Sequence, residues 1–278
     1  MIKIGFVDYY LDEWHANNYP EMINNLGGGE FEVCCAYGHI DSPIGGITNK
    51  EWSKKYNIPL EKSIEKVIEK SDCIVVLSPD NPEMHEELSR LPLESGKRIY
   101  IDKTFAPDTL AAKRIFEYAD KFSTPVYSCS SLYFSAELDA MKEKNIKTLY
   151  ANWGGGFKHQ FIHVTEPILS VMGTNVKRIM CVGSQPYESF TLEFADGKDA
   201  HIGMCGKKLR FIEGCEDGTN ENITVESPYF ELFIKAMLEF FKTGIIPVPH
   251  EQTIAVIAVI EAAKKARENP YEWYEIKK

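Results

Sequence analysis

The stretch "IKIGFVDYYLDEWHANNYP", residues 2–20, decides how the first half of the chain is read. Its opening "IKIGFVD" carries the β-branched and aromatic side chains of a strand buried on both faces. A turn follows that is crowded with Tyr9, Tyr10, Asp12, Glu13 and Trp14. Outward from there, strand-like runs alternate with helical ones. "FEVCCA" (31–36) reads as a strand, and "LEKSIEKVIEKSD" places Ile64, Val67 and Ile68 on one helical face before the buried run "CIVVLSP". A helix is expected to open at "NPEMHEEL", with Asn81 as cap and Pro82 in the first helical position, and Pro92 is expected to kink or end it early. The strand "RIYID" (98–102) comes next, then a helix with Ala111, Ile115, Ala119 and Phe122 on one face, then the strand "PVYSC". Strands separated by helices predict a doubly wound, mostly parallel sheet that binds ligands at the carboxyl ends of its strands.

From residue 127 the rhythm changes. Helices are expected near 134–144 and 160–172, but the rest reads as strands joined by turns: "TLYANW", "VKRIMCVGS", "SFTLEFADGKDAHIGMC" with an Asp196-Gly197 hairpin signal, and "KLRFIEG". Two helices, near 229–243 and 251–267, close the chain. The expected fold class is therefore α/β. A Rossmann-type doubly wound parallel sheet occupies 1–126, and an α+β domain with a mostly antiparallel sheet occupies 127–278.

The formal net charge of −10 offers no attraction to nucleic acid or to anionic membrane surfaces, which leaves a small neutral or polar molecule as the expected partner. The longest apolar run, "TIAVIAVIEAA" (253–263), is too short to span a bilayer, and the chain enters a strand pattern at Ile2 without a basic then apolar leader. Seven cysteines without a C-x-x-C pair read as buried free thiols in a reducing, cytoplasmic setting.

Three segments, in order, carry a family resemblance. "HEELSRLPLESGKRIYIDKTFAPDTLAAKRIFEYADKFSTPVYS" resembles the Gfo/Idh/MocA oxidoreductases from a helix-start histidine (His85) through Gly96 and Lys97 to the "EKP" lysine, here Lys103. "GGGFKHQFIHVTEPILSVMG" is similar to the family's glycine-rich lead-in to a helix bearing D-x-x-x-H-x-x-D, and "FFKTGIIPVPHEQTIAVIAVIEAAKKARE" resembles its closing helices. The resemblance implies NAD or NADP on the first domain and hydride transfer at a carbinol carbon of a sugar, polyol or related molecule. It implies catalytic roles for Lys103 and His163, with His159 beside them. It also implies cofactor contacts at Val7, Asp8 and Tyr10, at Ser78, Pro79 and Asn81, and at Asp102 and Lys103, and association into a homodimer or tetramer through an open sheet face. The chemistry stands without the name: alcohol oxidation needs a base at the hydroxyl, which histidine suits near neutrality, and a strand-end ammonium polarises the reacting oxygen.

The dinucleotide fingerprint is degenerate. In the register set by Gly5, the three G-x-G-x-x-G positions hold Asp8, Tyr10 and Glu13. The end of the second strand shows Cys35, Ala36 and Tyr37 where an acidic residue would meet the ribose, and no arginine follows to meet a 2′-phosphate. "IDKTF" keeps the lysine but places Asp102 and Thr104 where the family has glutamate and proline. Three functions are weighed: an NAD(P)-dependent oxidoreductase, a non-redox ligand-binding or regulatory relative that has lost the cofactor, and a metal-dependent lyase or hydrolase built on His159 and His163 with Glu166 or His201.

Overall fold

The computed structural model describes residues 1–277, and its contacts divide the chain into two compact units. The first comprises Met1–Cys129 and Phe233–Pro249. It runs β1 (Ile2–Asp8), α1 (Trp14–Leu26), β2 (Phe31–Gly38), α2 (Asn49–Tyr56), α3 (Ile64–Lys70), β3 (Cys73–Val76), α4 (His85–Glu94), β4 (Arg98–Ile101), α5 (Thr109–Lys121) and β5 (Val126–Tyr127). All pairings are parallel and the strand order is β2-β1-β3-β4-β5, the doubly wound sheet expected from the sequence. The apolar runs explain the sheet. Phe6, Val7, Ile74, Val75, Ile99 and Ile101 are fully buried, each worth roughly 1.5–3 kcal/mol in burial. Gly5 lets α3 lie against β1, because a Cβ there would overlap Val67 and stand 2.9 Å from Ser71 Oγ.

Pro92 lies in the last turn of α4, which ends two residues later at Glu94. Two local expectations are corrected. Asn81 makes no side-chain cap; its amide donates to Glu83 Oε1 at 2.9 Å, and Pro82 opens a short 3-10 turn ahead of α4. Phe122, expected on the buried face of α5, is the helix C-cap and is exposed.

The second unit comprises Ser130–Leu232 and His250–Lys278. It holds α6 (Ala136–Lys142), β6 (Ile146–Asn152), α7 (Phe157–Gln160), α8 (Ile162–Met172), β7 (Val176–Val182), β8 (Ser189–Phe194), β9 (Asp199–Gly203), β10 (Arg210–Cys215), β11 (Asn220–Thr224), the first residues of α9 (Tyr229–Thr243), α10 (His250–Glu268) and β12 (Trp273–Glu275). The seven-stranded sheet has the order β11-β10-β6-β9-β8-β7-β12 and is antiparallel except for the β6–β9 pair. The Asp196-Gly197 turn joins β8 to β9, with Gly197 at φ +85°. Alternating burial along β6, β7 and β8 marks one face covered by helices and one left open.

The sequence pattern breaks once, at 126/127, yet the contacts return Phe233–Pro249 to the first unit. There the ring of Phe233 lies 5.3 Å from Tyr100 and 5.9 Å from Tyr19, and Phe240 lies 4.9 Å from Tyr127. The cysteines form no disulfide among the described residues; Cys35, Cys73, Cys129 and Cys181 are buried, whereas Cys205 is exposed and Cys34 and Cys215 are half-buried. Among the described residues, no helix is long and apolar enough to cross a membrane.

Candidate functional site

In the first unit, β1 lies between β2 and β3, so the carboxyl ends of the strands meet where such sheets take ligands. Asp8 ends β1 and is 1% exposed, and neither of its carboxylate oxygens has a hydrogen-bond partner among the described residues. Burial pushes its pKa well above the usual carboxylate range. The negative charges of Glu13 and Asp102 add to that, partly opposed by the nearby amides of Tyr9 and Tyr10. Asp102, at the end of β4, is fully buried, with Oδ1 accepting from the Tyr100 hydroxyl at 2.9 Å and Oδ2 lying 3.6 Å from His15 Nδ1.

Glu13 completes this group. It is the N-cap of α1, its carboxylate accepting from the backbone N–H of His15 at 2.7 Å and from that of Ala16, and lying 3.0 Å from His15 Nδ1. A carboxylate thus sits on the positive end of α1, where unpaired amides and the helix dipole favour an anion. The rest of the turn is also tied to itself. Asp12 accepts from Ile47 N at 3.0 Å and Asn17 Nδ2 at 3.1 Å, while Asn49 Oδ1 accepts from Leu11 N at 3.0 Å and Asn49 Nδ2 donates to the Ile40 carbonyl at 2.7 Å.

The other cofactor candidates of this unit are similarly occupied. Val7 is buried inside β1 and Tyr10 is 5% exposed. Ser78, at φ +87°, donates through Oγ to the Asn81 carbonyl at 3.0 Å, so Ser78, half-buried Pro79 and Asn81 form a self-contained turn after β3. His85 fastens that turn to the segment following Lys103, its ring nitrogens 2.6 Å from the Leu77 carbonyl and 3.0 Å from that of Phe105; burial lowers its pKa. Lys103 is half-buried directly after Asp102, and the Lys103–Thr104 peptide is cis.

A dinucleotide would need the N-terminal amides of α1 for its pyrophosphate. Glu13 holds those amides, and Asp8 and Asp102 are buried beside it. At about 5 Å and an effective dielectric near 20, a single carboxylate repels a single phosphate charge by about 3 kcal/mol. The residues at this helix end do not fit a pyrophosphate in its customary place.

In the second unit, His163 is half-buried on α8, and its Nδ1 lies 2.6 Å from Ser130 Oγ. Glu166, one turn further on and 1% exposed, accepts from Ser130 N. Burial raises its pKa to about 8, opposed by that Ser130 amide. Ser130 therefore holds both side chains, a role no sequence motif announced. His159 is exposed on the short helix α7, which a single residue, Phe161, separates from α8. His201 stacks on Tyr150 at 4.5 Å and lies 2.7 Å from Asp199 on the second sheet. No group of three or more His, Cys, Asp or Glu among the described residues could hold a metal ion, and His159, His163, Glu166 and His201 do not assemble as a ligand set.

No protein-family model and no curated protein matches the sequence. Solved structures match the whole length of the chain. A probable dehydrogenase from Thermotoga maritima is 15% identical over 99% of both chains, with a TM-score of 0.81. GenD2 of gentamicin A biosynthesis, solved with NAD, is 9% identical over 100% of this chain and 97% of its own, with a TM-score of 0.82. The WlbA dehydrogenase from Bordetella pertussis, solved with NADH and UDP-GlcNAcA, is 12% identical over 100% and 99%, with a TM-score of 0.77. The fold of this chain is that of the Gfo/Idh/MocA-type dehydrogenases, in both units and in the same order.

Proposed function

We propose that the protein is a small-molecule-binding relative of these dehydrogenases that keeps their scaffold and does not use a dinucleotide. One observation carries this: the Glu13 carboxylate seated on the amides that would otherwise receive a pyrophosphate. The test is titration of the purified protein with NADH and NADPH, following nicotinamide fluorescence, with metal content measured on the same sample. No saturable change up to millimolar concentration is expected. Saturable enhancement in the micromolar range would overturn the proposal.

An NAD(P)-dependent oxidoreductase is the second reading, favoured by the full-length likeness to structures solved with NAD and NADH. That reading gives Lys103 the role of polarising a carbinol oxygen and, within the second unit, gives His163, oriented by Ser130, the role of a proton acceptor. The end of β2 carries neither the acidic residue that would select NAD nor the arginine that would select NADP. The open sheet face, with Tyr150 47% and Ile212 45% exposed, supports a homo-oligomer, and seven cysteines without a disulfide support a reducing, cytoplasmic setting.

A further inference from the structure

Adjacent residues of a regular strand point to opposite faces of the sheet. Cys34 and Cys35 of β2 do not. Ile4 of β1 pairs with Val33 and Gly5 pairs with Cys35, so Cys34 is the extra residue of a β-bulge. The bulge re-aims the side chain, and the two sulfurs come to 3.5 Å. β2 is an edge strand of its sheet, and Cys34 is half-buried there while Cys35 is fully buried beneath it.

We propose that Cys34 and Cys35 form a bidentate site for a soft, thiophilic centre that accepts two thiolates, as a trivalent arsenical does. The sulfurs are prepared unequally. The contact with Cys35 draws the Cys34 thiol below its ordinary range, against the opposing effects of burial and Glu32, whereas the same contact and burial push Cys35 up. Cys34 is the first nucleophile because its thiolate is favoured and reachable. Cys34 Sγ also lies 3.5 Å from the Lys70 carbonyl, to which the intact thiol donates a hydrogen bond.

Direct oxidation of the pair to a disulfide is the less suited outcome. A disulfide prefers Cα atoms about 4.4–6.8 Å apart, whereas neighbours across a trans peptide stand about 3.8 Å apart. A bridging soft centre imposes no sulfur–sulfur bond and accepts the sulfurs where the bulge leaves them. With phenylarsine oxide the exchange balances without redox change: two arsenic–sulfur bonds form, the arsenic–oxygen bonds break, and the oxygen leaves as water with both thiol protons.

The experiment uses the full chain, freshly reduced, and phenylarsine oxide as probe, with stoichiometry read by intact-protein mass spectrometry. One arsenical per chain is expected, retained against excess mercaptoethanol and released by dimercaptopropanol. Cys34→Ser loses this retention, and so does Cys35→Ser; Cys205→Ser, at an exposed thiol, keeps it. Cys34 is half-buried, so its serine variant tests the site even if the Cys35 variant does not fold. Wild-type protein that releases the arsenical to mercaptoethanol, or a Cys34→Ser variant that still retains it, overturns the proposal.

Discussion

Replacing Glu13 by glutamine removes a charge from the N-terminus of α1 while leaving an oxygen able to accept one of its amides. Two effects follow, of opposite sign. The helix loses a charged cap that also lies 3.0 Å from His15 Nδ1, which lowers folding stability by about 1 kcal/mol. The same end of the helix becomes hospitable to an external anion. A phosphate about 5 Å from the former carboxylate is relieved of roughly 3 kcal/mol of repulsion at an effective dielectric near 20, which corresponds to about a hundredfold in affinity. Calorimetric titration with ADP-ribose, which has the pyrophosphate without the nicotinamide, reads this directly. Glu13→Gln is expected to bind at least tenfold more tightly than wild type, with a melting temperature lower by about 2–4 °C. Wild type and variant that titrate alike, both tightly, would show that Glu13 does not guard the helix end and would refute the reasoning.

Glu166 makes stability depend on pH. Its folded pKa of about 8 lies above the unfolded value, so the folded state keeps a proton that the unfolded chain gives up. Below about pH 4.5 this group makes no difference; as pH rises from there to about 8, it progressively destabilises the fold, by about 5 kcal/mol as an order of magnitude. Urea unfolding at pH 5 and pH 8 should therefore show wild type losing stability with pH and Glu166→Gln losing much less; parallel profiles would contradict the assignment. Gly5→Ala forces a methyl against Val67 and Ser71 and should lower stability by roughly 1–3 kcal/mol, read as a lower urea midpoint with an unchanged slope.

Much of the fold was legible because its signals are local. Runs such as "CIVVL" are apolar without alternation, as strands covered on both faces must be, and Asp196-Gly197 placed a hairpin where Gly197 adopts positive φ. Helix α2 leaves little trace in the sequence because its eight residues bury only Asn49 and Trp52, too few for a periodic stripe; the capping box of Thr48 and Glu51 is its one local signal. Short β12 leaves little trace as well, since Trp273–Glu275 is a strand only through its pairing with β7. At the candidate site, the sequence named Asp8 and Glu13 as misfits to a glycine turn, but a carboxylate in a turn can face solvent, a ligand or its own backbone.

By itself, then, the sequence determined the order of the elements, the parallel and antiparallel character of the two sheets, and the loss of the fingerprint glycines, because each depends on residues within a few positions of one another. Tertiary structure decided what those residues do. Only folding seats Glu13 on the α1 amides, buries Asp8 beside Asp102, returns Phe233–Pro249 to the first unit, and turns Cys34 toward Cys35 through a register shift against β1. The Glu13 cap is local, but it forms only once α1 presents its first amides; the others join groups that lie apart in the chain or depend on strand register, which is set by pairing with a neighbour rather than by the strand's own residues.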